Sequence, residues 1–330
     1  MRLGASWQRF GEQRGGMACL AGFLAVFAIS LSADVIANDR PLLLEFRGHI
    51  YCPLLQPLPG TLFGPAFLPS QADYTDPALQ AAIAAHGFAV WPPVRFGPGS
   101  IVWNAPAAPS PPSAQNWLGT DEYGRDVLAR VLYGLRRSII FGLGLGVAAA
   151  FLGVAAGAVQ GFYGGWVDLL GQRLSEIWSG VPQLFLLMII AALAVPSLGL
   201  FVLVLAAFSW MGLAGLVRAE FLRARTADYV RAARALGVPD WRIMAVHMLP
   251  NASVAVLSYF PFLVLDSILL LSSLDFLGLG GDAPSLGVLV AQARDGFAPW
   301  LGVSAFVALA GLLGLLAGIG TALRKALAVR

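Results

Sequence analysis

Three groups of residues in this 330-residue chain have types and spacing that could do chemistry. The first is Tyr229–Pro250, where Tyr229, Arg231, Ala232, Ala233 and Arg234 precede Gly237, and Leu249-Pro250 follows twelve residues later. Its chemistry is recognition: a short helix with a small-residue face and basic edges is a plug for a groove on another protein. The second is a polar turn, Leu118-Gly119-Thr120-Asp121 with Gly124-Arg125-Asp126. The third is Asp266, an acid inside an apolar run, where a carboxylate marks an ion, proton or solute path.

Other chemistries are poorly served. A P-loop needs Gly-x-x-x-x-Gly-Lys-[Ser/Thr]. The only lysine is Lys325, preceded by Arg324, so this chain does not hydrolyse ATP itself. His49, His86 and His247 lie outside the apolar runs and suggest no catalytic triad. No His/Cys cluster has metal-ligand spacing, so no metal, cofactor or catalytic residue is expected. Cys19 lies near the start of the first apolar run and Cys52 on its far side, so no disulfide is expected. A net charge of +3 is too small to point to a nucleic-acid partner.

The elements that must position these groups are membrane spans. Hydrophobic residues make up 58% of the chain and charged residues 12%, about half the charge of a soluble domain. The apolar residues bunch into runs of about the 20 residues that cross a bilayer. Six are read: Met17–Ala37, Ser138–Phe162, Leu169–Val195, Leu198–Phe221, Ser253–Leu274 and Trp300–Leu323. The fold class is therefore an all-α polytopic membrane protein with six transmembrane helices, embedded in the lipid bilayer. Arg2, Arg9 and Arg14 precede the first span, and Arg324, Lys325 and Arg330 follow the last. Six arginines from Arg218 to Arg242 lie at or between the ends of spans four and five. The positive-inside rule puts both termini and that loop in the cytoplasm.

Three sections follow: 1–37, a cytoplasmic N-terminus with the first span; 38–137, an extracytoplasmic cap ending in an amphipathic surface helix; and 138–330, a core of five spans with a cytoplasmic loop at 222–250. Fourteen of the 21 prolines fall in residues 38–115, so the cap is expected to be irregular, with one short helix at Asp76–His86. From Asp126 the apolar positions Val127, Leu128, Val131, Leu132 and Leu135 repeat at helical spacing, as in a helix lying on the outer surface before span two. Gly142, Gly146, Gly153, Gly157 and Gly161, then Gly314 and Gly318, make G-x-x-x-G steps for close helix packing. In the loop, Thr226 caps a helix over Ala227–Leu236 with Tyr229, Ala232, Ala233 and Leu236 on one face. Gly237 stops it in a left-handed conformation, and Pro239 opens a second helix ending at Leu249-Pro250.

Several motifs occur in order: WLGTDEYGRDVLARVLYG (Trp117–Gly134), FYGGWVD (Phe162–Asp168), YVRAARALG with HMLPN (Tyr229–Asn251) and SLDFLGLG (Ser273–Gly280). On these residues the chain resembles the peptide-type branch of ABC importer permeases. NDRPLL (Asn38–Leu43), WPPVRF (Trp91–Phe96), PSLG (Pro284–Gly287) and APWLG (Ala298–Gly302) make it similar to the subgroup that imports microcin C and oligopeptides. The resemblance implies a bacterial inner-membrane permease that pairs with a second, related permease as a heterodimer. It also implies two ABC ATPase domains and an extracytoplasmic substrate-binding protein. Tyr229–Pro250 would then be the ATPase-coupling loop, and Leu118–Asp126 part of the outer gate and the binding-protein contact. The first span has a basic start and a small residue at Ala37, as a signal peptide does, but five further spans and the resemblance favour an uncleaved anchor. Two departures stand out: Arg231 occupies the position of the family acid, and the chain ends LRKALAVR where relatives often carry an acidic tail. The alternative is an ion-coupled secondary transporter using Asp266; one acid stands there against several ordered motifs. A membrane-bound enzyme built on the cap would lack any nucleophile–base set.

Overall fold

The computed structural model describes residues 8–65, 67–103, 105, 107–193, 197–296 and 298–328. Arg2, Val195 and Arg330, which enter the charge and span expectations, lie outside the described residues. In chain order, α1 (Arg14–Leu31) is followed by β1 (Leu43–Phe46), β2 (His49–Tyr51), α2 (Pro77–His86) and β3 (Gly87–Val90). Then come α3 (Val127–Tyr163), α4 (Gly165–Ser179), α5 (Gln183–Leu193), α6 (Leu198–Ala224) and α7 (Asp228–Ala235). The last are α8 (Asp240–Phe276), α9 (Leu286–Gly296) and α10 (Pro299–Ala328). Among the described residues, α1, α3, α6, α8 and α10 are long and apolar enough to cross a bilayer. The α4–α5 pair makes a sixth span only as a broken one, bent by 65°.

That break corrects the continuous run expected at Leu169–Val195. The apolar pattern does not stop, but Gly180-Val181-Pro182 interrupts the backbone. Pro182 has no amide to donate and disfavours helical geometry at Val181. A second correction concerns the surface helix before span two, which is not a separate element. Nothing in Leu135–Ile139 breaks a helix, so α3 runs on for 37 residues. At 1.5 Å per residue it is about 55 Å long and overshoots a hydrocarbon core of about 30 Å.

Contacts divide the chain into two compact units. The first comprises Met1–Leu24, Ser138–Gly281 and Ala310–Arg330. Here the glycines of α3 act as close-approach points. A Cβ on Gly157 would lie 2.5 Å from the Ala214 carbonyl oxygen of α6, and one on Gly153 would lie 2.8 Å from that of Trp210. Gly142 and Gly146 face Ile268 and Val264 of α8 in the same way. A Cβ on Gly318 would run into the Cys19 sulfur, whereas one on Gly314 would meet nothing within 4 Å among the described residues. The core is filled by Phe141, Leu145, Leu187, Phe201 and Leu271 in one cluster and by Phe162, Val217, Phe221, Val230 and Ile243 in another.

The second unit comprises Ala25–Arg137 and Asp282–Leu309. Its cap is more regular than expected: β2, β1 and β3 form an antiparallel sheet in that order, with Glu45 opposite both Ile50 and Phe88. The prolines fall outside the three strands, so none deprives the ladder of a donor. Arg47 and Gly48, at φ 51° and 79°, make the two-residue β1–β2 turn. The short helix read at Asp76–His86 is present as α2, with the Asp76 side chain accepting from the Ala78 amide at 2.8 Å. Leu79 and Ile83 of α2 pack with Leu44, Phe46, Phe63 and Tyr74.

Candidate functional site

The loop between α6 and α8 is built from its glycine outward. Gly237 has φ +73°. Its amide donates to the Arg234 carbonyl at 3.0 Å, and the Val238 amide donates to that of Ala233 at 3.1 Å. These two bonds close α7 with a left-handed cap. The start of α7 departs from expectation: the residue before it is Ala227, without a side-chain cap, and the Thr226 hydroxyl donates back to the Arg223 carbonyl instead. Asp228 supplies negative charge to the first turn.

The faces of α7 also differ from the expected assignment. Val230 and Ala233 are buried against Phe162, Phe221, Ile243 and Met248. Ala233 is therefore a packing residue. Tyr229, Ala232 and Leu236 point outward, Leu236 being 82% exposed. Of the two arginines, Arg234 lies over the Phe162 ring at 4.8 Å from its centroid, while Arg231 reaches only Asp228, at 4.0 Å. Both groups of that pair are exposed, so it contributes close to nothing to stability. The second helix of the loop does not end at Leu249-Pro250. It continues as α8, with a π-helical turn over Ile243–Met248 before Pro250 enters the first α-helical turn. A proline there has no amide to lose, which is why the chain passes it without stopping. Leu249 packs on the core beneath α7, Pro250 is exposed, and the Asn251 amide donates to the Tyr229 hydroxyl at 3.3 Å.

One pairing escaped the sequence reading. Asp168 at the start of α4 is held by the guanidinium of Arg218 on α6, and Arg225 donates to the Tyr163 carbonyl at 3.1 Å. These bonds tie the FYGGWVD corner to the helix that leads into the loop. Both residues were visible as charges near span ends, but nothing local linked positions 50 apart.

The polar turn in the second unit is a closed network. Asp121 is 0% exposed. One carboxylate oxygen accepts from the amides of Tyr123 and Arg125 at 3.0 and 2.8 Å; the other takes two guanidinium nitrogens of Arg125 at 2.8 Å. The buried Arg130 guanidinium lies 3.5 Å from that second oxygen and donates to the Pro98 carbonyl at 3.2 Å. Asp126 caps α3 through the Ala129 amide at 2.8 Å and accepts from the Asn116 side chain at 2.7 Å. Burial pushes the Asp126 carboxyl up, against the opposing pull of Asn116 and the amides of Ala129 and Leu128. Thr120 accepts from the Ser110 amide at 2.8 Å, and its carbonyl takes the Trp300 indole at 3.2 Å. Gly119 and Gly124, at φ +76° and +75°, turn the backbone through this knot. Leu118 is half-buried. Asp121, Asp126 and Thr120 are thus buried internal struts; Glu122 and Tyr123 are what the turn presents outward.

Asp266 stands apart. It lies in α8 with an exposed side chain and no hydrogen-bond or ion-pair partner among the described residues. A carboxylate at the middle of a bilayer costs about 2.5–3.5 kcal/mol against lipid, so this face of α8 calls for water or another protein surface.

With this geometry in hand, the comparisons with known proteins agree with one another. The family described as "binding-protein-dependent transport system inner membrane component" matches residues 136–330. Over 327 residues the chain is 50% identical to the inner membrane ABC transporter permease protein YejE of Escherichia coli strain K12, covering 98% of this chain and 95% of that one. It is 45% identical over 348 residues to the peptidoglycan transport system permease protein YejE of Agrobacterium fabrum, covering 97% and 91%. Similarity to the oligopeptide transport system permease protein OppC of Bacillus subtilis is 35% over 200 residues, covering 58% and 65%.

Proposed function

The chain belongs to the family of binding-protein-dependent transport system inner membrane components, and from that membership we propose that it forms half of an ATP-driven import path for peptides or peptide-like solutes. It is a multi-pass permease subunit of an inner-membrane ABC transporter, and partner subunits hydrolyse the ATP. In the proposed assembly a second, related permease completes a heterodimer. Two ABC ATPase domains dock on the cytoplasmic side, and a binding protein delivers solute from outside. Both termini lie in the cytoplasm. The peptide class rests on the names of the relatives.

The observation that carries this reading is the outward face of α7. Tyr229, Ala232 and Leu236 are presented on a helix whose other face is locked into the core and whose end is fixed by Gly237. A groove on an ATPase domain that takes this plug would pull on α6 and α8 together, because α7 joins them. ATP then shifts the permease between inward- and outward-facing states only as far as its affinity differs between the two. Asp266 is assigned to the path side of α8, where it meets water or solute rather than lipid.

The test is purification from native membrane in mild detergent, followed by mass spectrometry of what remains bound. A second multi-span protein together with a P-loop ATPase is expected. A chain that purifies alone under several detergents, or an uptake activity that vanishes when the proton gradient is collapsed at constant ATP, would transfer the assignment to an ion-coupled carrier using Asp266.

A further inference from the structure

The second unit carries a cleft of about 670 Å³ that neither the coupling loop nor Asp266 explains. Its volume falls within the ~300–1,000 Å³ typical of sites for small organic ligands, which combine apolar walls with a few placed polar groups. The walls are aromatic: Trp91, Phe96, Trp103 and Trp117. Trp103 is 78% exposed, a large indole surface left in solvent beside the cavity.

The charges on the lining are what narrow the ligand. Asp39 accepts from the Ser100 hydroxyl at 2.8 Å and has no cationic partner among the described residues. Arg95 lies over the Trp91 ring at 5.4 Å from its centroid and has no carboxylate partner among them. Asp126 lines the cleft too, but its carboxylate is taken up by the Asn116 side chain and the Ala129 amide, so the charges left open to a ligand are Asp39 and Arg95, one of each sign. Tyr74 also lines it, buried, with a hydroxyl that has no hydrogen-bond partner among the described residues. Burial pushes that hydroxyl up to about 12, so it stays neutral and able to donate. A neutral solute leaves both charges unanswered, and a simple anion or cation answers one. A free-ended peptide answers both, brings a carbonyl for a hydroxyl, and carries side chains for the aromatic walls.

We propose that this cleft binds a short, free-ended peptide with an apolar or aromatic side chain, its ammonium toward Asp39, its carboxylate toward Arg95 and its side chain against the indoles. The inference rests on the peptide reading above and adds a holding site for the solute outside the path through the spans.

The experiment uses the full importer complex in detergent, without its binding protein. The probe is the tripeptide alanyl-p-benzoylphenylalanyl-alanine, cross-linked by light and mapped by mass spectrometry. Cross-links are expected between residues 74 and 117. Free-ended Ala-Phe-Ala should compete about tenfold better than its N-acetylated, C-amidated form, as expected for charge-assisted hydrogen bonds to both ends. Arg95→Gln and Trp103→Ala should each lower the yield about tenfold. Tyr74→Phe, which removes a hydroxyl with no partner and so spares the fold, should lower it about fivefold. Equal competition by the capped peptide, or unchanged yield in both Arg95→Gln and Tyr74→Phe, overturns the proposal. So does displacement of the probe by phosphatidylethanolamine, which would give the cleft to a lipid headgroup. If the wild-type complex, reconstituted in proteoliposomes with its binding protein, takes up the tripeptide with ATP yet no cross-link falls in this range in detergent, the cleft proposal fails while the peptide reading stands. If it takes up no peptide at all, the peptide reading itself fails.

Discussion

The Leu118–Asp126 turn and the Tyr229–Pro250 loop look alike as sequence and behave as opposites in the structure. The turn carries Arg125 with Asp121 and Asp126, the loop carries Arg231 and Arg234 with Asp228 just before it, and each has a glycine with φ above +70°. In the turn, Asp121 is sealed from solvent and shared between two amides and Arg125, with Arg130 beside it. In the loop, Asp228 and Arg231 touch loosely in solvent. A cluster of motif residues can therefore be scaffold or contact surface, and burial decides which.

The sharpest way to break this contrast is to delete the two aspartates. Asp121→Ala leaves Arg130 buried without a counter-charge and should destabilise the second unit by about 3–5 kcal/mol. Asp228→Ala should change stability by no more than about 0.5 kcal/mol. Thermal melting in detergent measures both, and similar losses for the two would erase the distinction. The glycines give the next comparison. A Cβ at Gly119 would meet the Ser110 carbonyl oxygen at 2.6 Å and the Trp300 indole nitrogen at 2.9 Å, whereas at Gly237 it meets nothing within 4 Å. Gly119→Ala should therefore cost strain plus a steric clash, roughly 2–4 kcal/mol. Gly237→Ala should cost only the backbone term, about 1 kcal/mol. A Gly237→Ala variant that melts as low as Gly119→Ala would count against the open setting of the loop.

The loop's own residues should register in assembly rather than in melting. Tyr229→Ala combined with Leu236→Ala removes two outward side chains and should weaken ATPase co-purification about tenfold or more, with a shift in stability below about 1 kcal/mol. Retention of the ATPase at wild-type levels would move the docking surface elsewhere. The smallest effect concerns pH. The folded state raises the carboxyl of Asp126 above its ordinary value. Its contribution is therefore full below that ordinary value and declines as pH rises through the folded one. Asp126→Asn should flatten this slope in a melting-versus-pH series while keeping the cap on α3; an unchanged slope would assign the titration to another group.

Sequence alone reached the features whose causes are local. Asp76 before Pro77 announces α2, and Gly237 before Val238-Pro239 announces a helix stop. The number of apolar runs was readable too, since hydropathy needs no partner. What escaped depends on contacts distant in the chain. Nothing near Ala233 says that it faces inward while Ala232 faces out, because Phe162 and Phe221 decide that. The same holds for Asp168 with Arg218. The bend at Gly180-Val181-Pro182 was in plain view but was outweighed by the unbroken apolar run around it. In the cap, counting prolines hid the three short stretches that have none.

The passage of Pro250 into α8 has a mechanical consequence. Because the foot at Asp240 and the far end at Phe276 belong to one helix, with Pro261 inside it, the foot is the pivot of an arm about 55 Å along the helix. Each degree of tilt about that foot sweeps the far end through about 1 Å. A few degrees at the loop would thus shift Phe276 by roughly the width of a side chain, a gear ratio that a flexible linker at Leu249-Pro250 would have thrown away.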